Sequence, residues 1–154
     1  MGYYTRVFCK SETVPPFKEL QEYMLGINSQ YRLEGSSDNN STNWNDFELH
    51  YKEGKLPILV ELNRTDEGLG KEEIEEFIEE IGLPGFSIRK IKVIRYLNRT
   101  KYIICNQLPS SDIDEDGFIA NEKFTKFFVD NYQGMFQADG EGFYDNNKII
   151  LELK

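Results

Sequence analysis

Between Lys71 and Ile81 the residues Ile74, Phe77, Ile78 and Ile81 fall at i, i+3, i+4 and i+7, while Glu72, Glu73, Glu75, Glu76, Glu79 and Glu80 fill the positions between. In an α-helix this spacing gathers the apolar side chains on one stripe and the acids on the opposite face. Gly82 and Pro84 stop the helix. A helix with one apolar stripe must lay it on something, so the rest of the chain has to build an apolar surface. The best candidate for that surface is a hairpin. Phe47 to Tyr51 alternates apolar and polar, Glu53-Gly54 turns the chain, and Leu56 to Leu62 is an apolar strand. A helical and a strand period in neighbouring segments make an α+β fold the expectation.

Other segments fit the same scheme. Tyr3 to Cys9, Tyr31 to Glu34 and Tyr102 to Cys105 have the β-branched and aromatic content of strands. Pro15-Pro16 starts a helix with Phe17, Leu20, Met24 and Ile27 on its stripe, widened by Tyr23. Ile88 to Arg99 is predicted to be a helix, as is Asn121 to Tyr132, which carries Phe124, Phe127 and Phe128. Gly35 to Asn45 reads as a polar surface loop with Trp44 anchoring its far end, and Pro109 to Gly117 as an acidic loop. Met135 to Ala138 and Lys148 to Leu153 read as a closing strand pair. The expectation is one domain over residues 1–154, a mainly antiparallel sheet with the helices packed on one face. A strand ending in cysteine, a helix and two strands occur near the start and again from Tyr102. Two pseudo-symmetric βαββ units would produce this order, and so would coincidence in a generic α+β chain.

Eleven Phe and nine Tyr in 154 residues supply an aromatic core, which sets the chain apart from disordered sequences. The net charge of −9 repels phosphate backbones and anionic lipid, so a protein partner with basic character is expected, and neither nucleic acid nor membrane. No apolar run has the length of a membrane span and no signal-like segment follows Met1, so a cytoplasmic setting is expected. Cys9 and Cys105 then read as reduced and buried.

Two acidic stretches are candidates for chemistry. In the first, Asp112, Asp114 and Asp116 are followed by Gly117 and Ile119, as in the first two-thirds of a calcium loop, where alternate carboxylates wrap one hard cation. The twelfth position is Lys123, where a bidentate glutamate is needed, and Glu122 comes one residue early. Calcium or magnesium at Asp112, Asp114 and Asp116 is therefore weighed against aspartates that cap the next helix, with no cofactor as the default. In the second stretch, Asp139, Glu141, Tyr144 and Asp145 surround Gly140 and Gly142. They are the candidate contacts for a ligand or partner, or for a carboxylate-based enzyme, against a plain hairpin with solvated acids.

His50 is the only histidine and sits within a predicted strand, so it reads as a strand residue and multi-histidine zinc sites are excluded. The segment from Ile88 to Arg99 carries Arg89, Lys90, Lys92, Arg95 and Arg99 and no acid. In so acidic a chain, charge cancellation against the preceding Glu-rich helix is favoured over nucleic-acid contact.

The segments from Cys105 to Asp114 (CNQLPSSDID), Gln137 to Asp145 (QADGEGFYD) and Tyr3 to Cys9 (YYTRVFC) together resemble a family of small uncharacterised bacterial proteins. The resemblance covers most of the chain and implies a bacterial cytoplasmic protein. That family has no assigned activity, so it implies no site residues. The function expected is a non-enzymatic interaction module of inhibitor or immunity type.

Overall fold

A computed structural model describes residues 2–35, 38 and 40–154. Ser36, Ser37 and Asn39 of the predicted surface loop, and Met1, lie outside the described residues. The chain is α+β. Its elements are β1 (Gly2–Cys9), α1 (Phe17–Ile27), β2 (Arg32–Glu34), β3 (Asp46–His50), β4 (Ile58–Arg64), α2 (Gly68–Ile81), α3 (Ile88–Asn98), β5 (Tyr102–Pro109), α4 (Glu115–Asn131), β6 (Gly134–Ala138), β7 (Gly142–Asp145) and β8 (Lys148–Glu152). The eight strands form one sheet in the order β2-β3-β4-β5-β1-β6-β7-β8, with every neighbouring pair antiparallel.

The helices do not share one face as the sequence predicted; two lie on each. In β1, Val7, Phe8 and Cys9 are buried in succession, and in β5 so are Tyr102, Ile103 and Ile104. Successive strand residues point to opposite faces, so the central strands are apolar on both sides and need cover on both. On the first face α1 (Phe17, Leu20, Met24) and α4 (Phe124, Phe127, Phe128) cover Val7, Val60 and Ile104. On the second, α2 (Ile74, Phe77, Ile81) and α3 (Val93, Leu97) cover Phe8, Ile103, Met135 and Phe143. Rings meet edge to face within each layer, Phe47 on Phe124 at 5.7 Å and Phe8 on Phe77 at 5.6 Å. Trp44 is buried and its indole N–H donates to the Pro15 carbonyl at 2.9 Å, anchoring the end of the loop as expected.

The element order does recur, as strand, helix and three strands on each side of α2 and α3. The sheet order is not that of a two-fold. The first meander joins the centre through its last strand, β4 on β5, and the second through its first, β6 on β1. A rotation exchanging β1 with β5 therefore leaves the meanders unmatched.

Two boundaries move the candidate residues. Strand β5 runs to Pro109, and α4 begins at Glu115 instead of Asn121. The predicted acidic loop is thus a strand end, a short turn and the first turn of a helix. Residues 142–145 form a strand, β7, between the two that were expected.

Candidate functional site

The two acidic stretches meet different surroundings. In the first, Asp114 is the N-cap of α4; its Oδ1 accepts from the Gly117 N–H at 3.1 Å. Lys52, from the turn between β3 and β4, donates to Asp114 at 2.7 Å and to Asp116 at 2.8 Å. Its ammonium holds the Asp114 carboxyl below the usual carboxylate range. Asp112 accepts from the Leu56 N–H at 2.7 Å, and its carbonyl accepts from Lys55 at 2.9 Å. Asp116 and Gly117 are helical. Each aspartate already has a partner in the protein.

In the second stretch, the acids diverge. Asp139 turns to the α2 face, where the Arg6 guanidinium reaches Asp139 at 2.7 Å, Gln137 at 2.9 Å and Glu73 at 2.7 Å. Asp145 pairs with Lys92 of α3 at 2.7 Å. Glu141 accepts from the Tyr3 hydroxyl at 2.5 Å and from Tyr144. The first bond joins the turn to β1, a contact to which the local sequence gives no clue.

Glu141, Tyr144 and Asp145 line a groove of about 810 Å³ between α4 and strands β6–β8. It opens where α4, which leans on β1 and β6, stops covering the sheet. Tyr3, Phe118, Phe136 and Tyr144 supply aromatic walls, with Tyr3 and Phe118 at 6.4 Å and Phe136 and Tyr144 at 5.6 Å between ring centroids. Thr5 and Asn121, both buried, line its depth. Asn121 donates to Thr5 at 3.1 Å and accepts from Asn106 at 2.7 Å, so a fixed polar chain underlies the aromatic walls.

Four of the eight charged residues lining the groove form ion pairs, Lys126 with Asp130 at 2.6 Å and Lys92 with Asp145; among the described residues Lys10, whose ammonium sits over the Tyr96 ring, Glu122 and Lys123 form none. Glu141 has hydrogen bonds but, among the described residues, no ion pair. Its effect on the tyrosines is visible in their acidity. The bond to Glu141, then burial, push the Tyr144 hydroxyl up to about 12. Tyr3 is raised further, by burial first and then by Glu141. Both stay protonated donors across the physiological range.

The other titratable residues of interest lie elsewhere. Cys9 and Cys105 are free and buried, and burial pushes the Cys105 thiol up to about 12 and the Cys9 thiol higher. Neither has the thiolate character of a nucleophile. His50 ends β3 with Nε2 3.0 Å from Glu48 and 3.2 Å from Glu34. Those glutamates are opposed across β2 and β3, and together with His50 they offer three potential metal ligand atoms within 4.8 Å of one another. Arg32, 2.7 Å from Glu34, and the imidazole separate the two like charges.

Among the described residues, no ion pair joins α2 to α3, so the expected cancellation of their charges does not occur by direct pairing. The helices meet through Ile74, Ile81, Val93 and Leu97, which leaves both charged stripes outward. No helix among the described residues is long and apolar enough to cross a membrane. Comparison with protein-family models, with curated proteins and with solved structures found no match.

Proposed function

We propose that the protein is a non-enzymatic interaction module, of inhibitor or immunity type, whose groove between α4 and β6–β8 docks a basic segment of a partner protein. The observation that carries this reading is Glu141: a carboxylate with no ion pair among the described residues, clasped by two tyrosines in an aromatic-walled groove of about 810 Å³. A lysine or arginine side chain entering there gains the charge of Glu141 and the rings of Tyr3 and Tyr144 together. The net charge of −9 favours approach of such a segment from a distance. The divergence of Asp139, Glu141 and Asp145 onto three separate partners supports docking over acid–base chemistry, which needs its groups converged on one reacting atom. A bacterial, cytoplasmic setting belongs to the same proposal, and two free, buried thiols are compatible with a reducing compartment.

The test is a nuclear magnetic resonance titration with hexa-arginine and hexa-glutamate peptides at low and high salt. Hexa-arginine is expected to shift the ring signals of Tyr3, Phe118 and Tyr144 saturably at low salt, while hexa-glutamate does not. Glu141→Gln should weaken the arginine peptide about tenfold, the equivalent of roughly 1.4 kcal/mol. It should also bring the Tyr144 titration down from about 12 toward 10, read by ultraviolet absorbance. Shifts confined to the acidic stripe of α2, with the groove rings silent, would sink the proposal.

A further inference from the structure

At the end of the sheet away from the groove, strands β2 and β3 place four polar side chains in one block. Arg32 stands opposite His50 and Glu34 opposite Glu48 in the antiparallel ladder, and residues two apart in a strand share a face. The alternate residues Leu33, Phe47 and Leu49 are buried in the first core, so the backbone beneath the block is held in place. Glu34 and Glu48 are a like-charge pair directly opposite each other, an arrangement that costs stability unless something lies between them. What lies there is one nitrogen: His50 Nε2 is 3.0 Å from Glu48 Oε1 and 3.2 Å from Glu34 Oε2. That nitrogen carries at most one hydrogen, which two carboxylates must share. Arg32 Nε holds the other Glu34 oxygen, Oε1, at 2.7 Å, which leaves Oε2 turned to the imidazole.

We propose that Glu34, Glu48 and His50 bind one divalent transition-metal ion of the zinc class. Their three donor atoms lie within 4.8 Å of one another. A tetrahedral ion with ligands at about 2.0–2.1 Å sets its donors about 3.3 Å apart, close to both distances from Nε2. Two carboxylates and a neutral imidazole match a double positive charge, and the ion serves three lone pairs where one proton serves two. The imidazole selects a transition metal over calcium and magnesium, which take oxygen ligands. Arg32 is the outer partner that fixes how Glu34 presents its free oxygen. Three protein ligands leave the fourth position to water. The ion clamps β2, a three-residue strand at the sheet edge, onto β3. Strands β6–β8 are at the other end of the sheet, so the site and the groove do not compete.

Titration of the full chain with zinc chloride tests the proposal by calorimetry, nuclear magnetic resonance and thermal melting. His50 is the only histidine, so its ring signals identify themselves. Zinc is expected to bind once per chain and to shift those signals saturably, while calcium at the same concentration leaves them in place. At a zinc concentration about a hundred times the dissociation constant, the thermal midpoint should rise by about 5–10 °C. His50→Gln and Glu48→Gln should each weaken zinc at least tenfold, roughly the loss that even an outer partner causes, and abolish the rise in midpoint. Glu61→Gln, which removes an exposed carboxylate from the neighbouring strand β4, should bind zinc as the wild type does. Circular dichroism checks the fold of each variant. The proposal is overturned if millimolar zinc gives no heat of binding, if the His50 signals stay put at saturation, or if His50→Gln binds zinc as tightly as the wild type. Equal shifts of the His50 ring by calcium and zinc also overturn it.

Discussion

The acidic stretches at 112–116 and 139–145 differ little on paper: carboxylates at alternate positions, a glycine, an aromatic residue after it. In the fold both are gripped by one cation from far along the chain, Lys52 for the first and Arg6 for the second. The grips are different in kind. Lys52 reaches in from an exposed turn, and its side chain and that of Asp116 remain 37% and 60% exposed. Arg6 stands in the central strand at 13% exposure, its guanidinium 5.1 Å from the Phe77 ring, and it links β1, α2 and the turn before β7. A cation in water adds little to an ion pair, whereas one inside a layer must keep its partners or be left desolvated and alone. The first stretch is therefore a helix cap with local support. The second belongs to the packing between sheet and helix, which leaves Glu141 free of the network to face the groove.

The sharpest way to break this contrast is to remove each cation. Arg6→Met strips a half-buried network, leaving Glu73 without its cation and Asp139 with only the Gln137 amide, 3.3 Å from its Oδ1. It should destabilise the protein by about 2–3 kcal/mol, discounted from a fully buried pair because Asp139 is 42% exposed. Lys52→Met should move the thermal midpoint by no more than about 1 °C. Urea and thermal melts of the two variants decide this, and equal losses would mean that exposure does not separate the two grips.

A smaller effect distinguishes the first stretch by pH. Lys52 lowers the Asp114 carboxyl below its unfolded value, so the stabilisation is complete above that unfolded value, about pH 4, and is lost as pH falls through the lowered folded one. Lys52, whose own ammonium is raised by the same bonds, shows the mirror behaviour: its contribution is complete below the unfolded lysine value and lost as pH rises through the folded one. The urea midpoint of the wild type should therefore fall more steeply between about pH 5 and pH 2 than that of Lys52→Met, and the two should converge at the acid end. Parallel curves would show that Lys52 does not set the acidity of Asp114.

How far the sequence carried these conclusions depends on the range of each interaction. The hairpin and α2 were legible because periodicity is local: Ile74, Phe77 and Ile81 reach the core as their spacing requires. The placement of helices on two faces is written in the successive apolar residues of β1 and β5, a local signal that outweighs the one-face expectation. The start of α4 was misplaced because Asp114, Glu115 and Asp116 read as loop, although a capping aspartate followed by acids in the first turn is itself a helix signal. Of the four residues that the sequence offers as contacts, Glu141, Tyr144 and Asp145 line the groove and Asp139 does not. Tyr3 is not among the four, since a bond spanning 138 residues leaves no trace in the spacing of either partner. The groove follows from where α4 ends relative to the sheet, which is a matter of tertiary geometry.

The smallest expected effect concerns calcium at Asp112, Asp114 and Asp116. Calcium asks for six to eight oxygens at 2.3–2.6 Å around one point. Here the Lys52 ammonium already joins Asp114 and Asp116, and a backbone N–H occupies Asp112. The glycine that would turn a calcium loop is instead in the first turn of α4, where a Cβ would come within 2.5 Å of the Ile113 side chain and 2.8 Å of the Tyr51 ring. Loading the ion would have to expel Lys52 and unwind that turn. Calorimetry with millimolar calcium should give no binding heat for the wild type. In Lys52→Met, where the carboxylates lose their cation but keep their places, weak binding in the millimolar range should appear. Heat of binding in the wild type would show that the lysine yields to the ion, and the contrast between a structural and a ligand-facing acidic stretch would then fail at its first member.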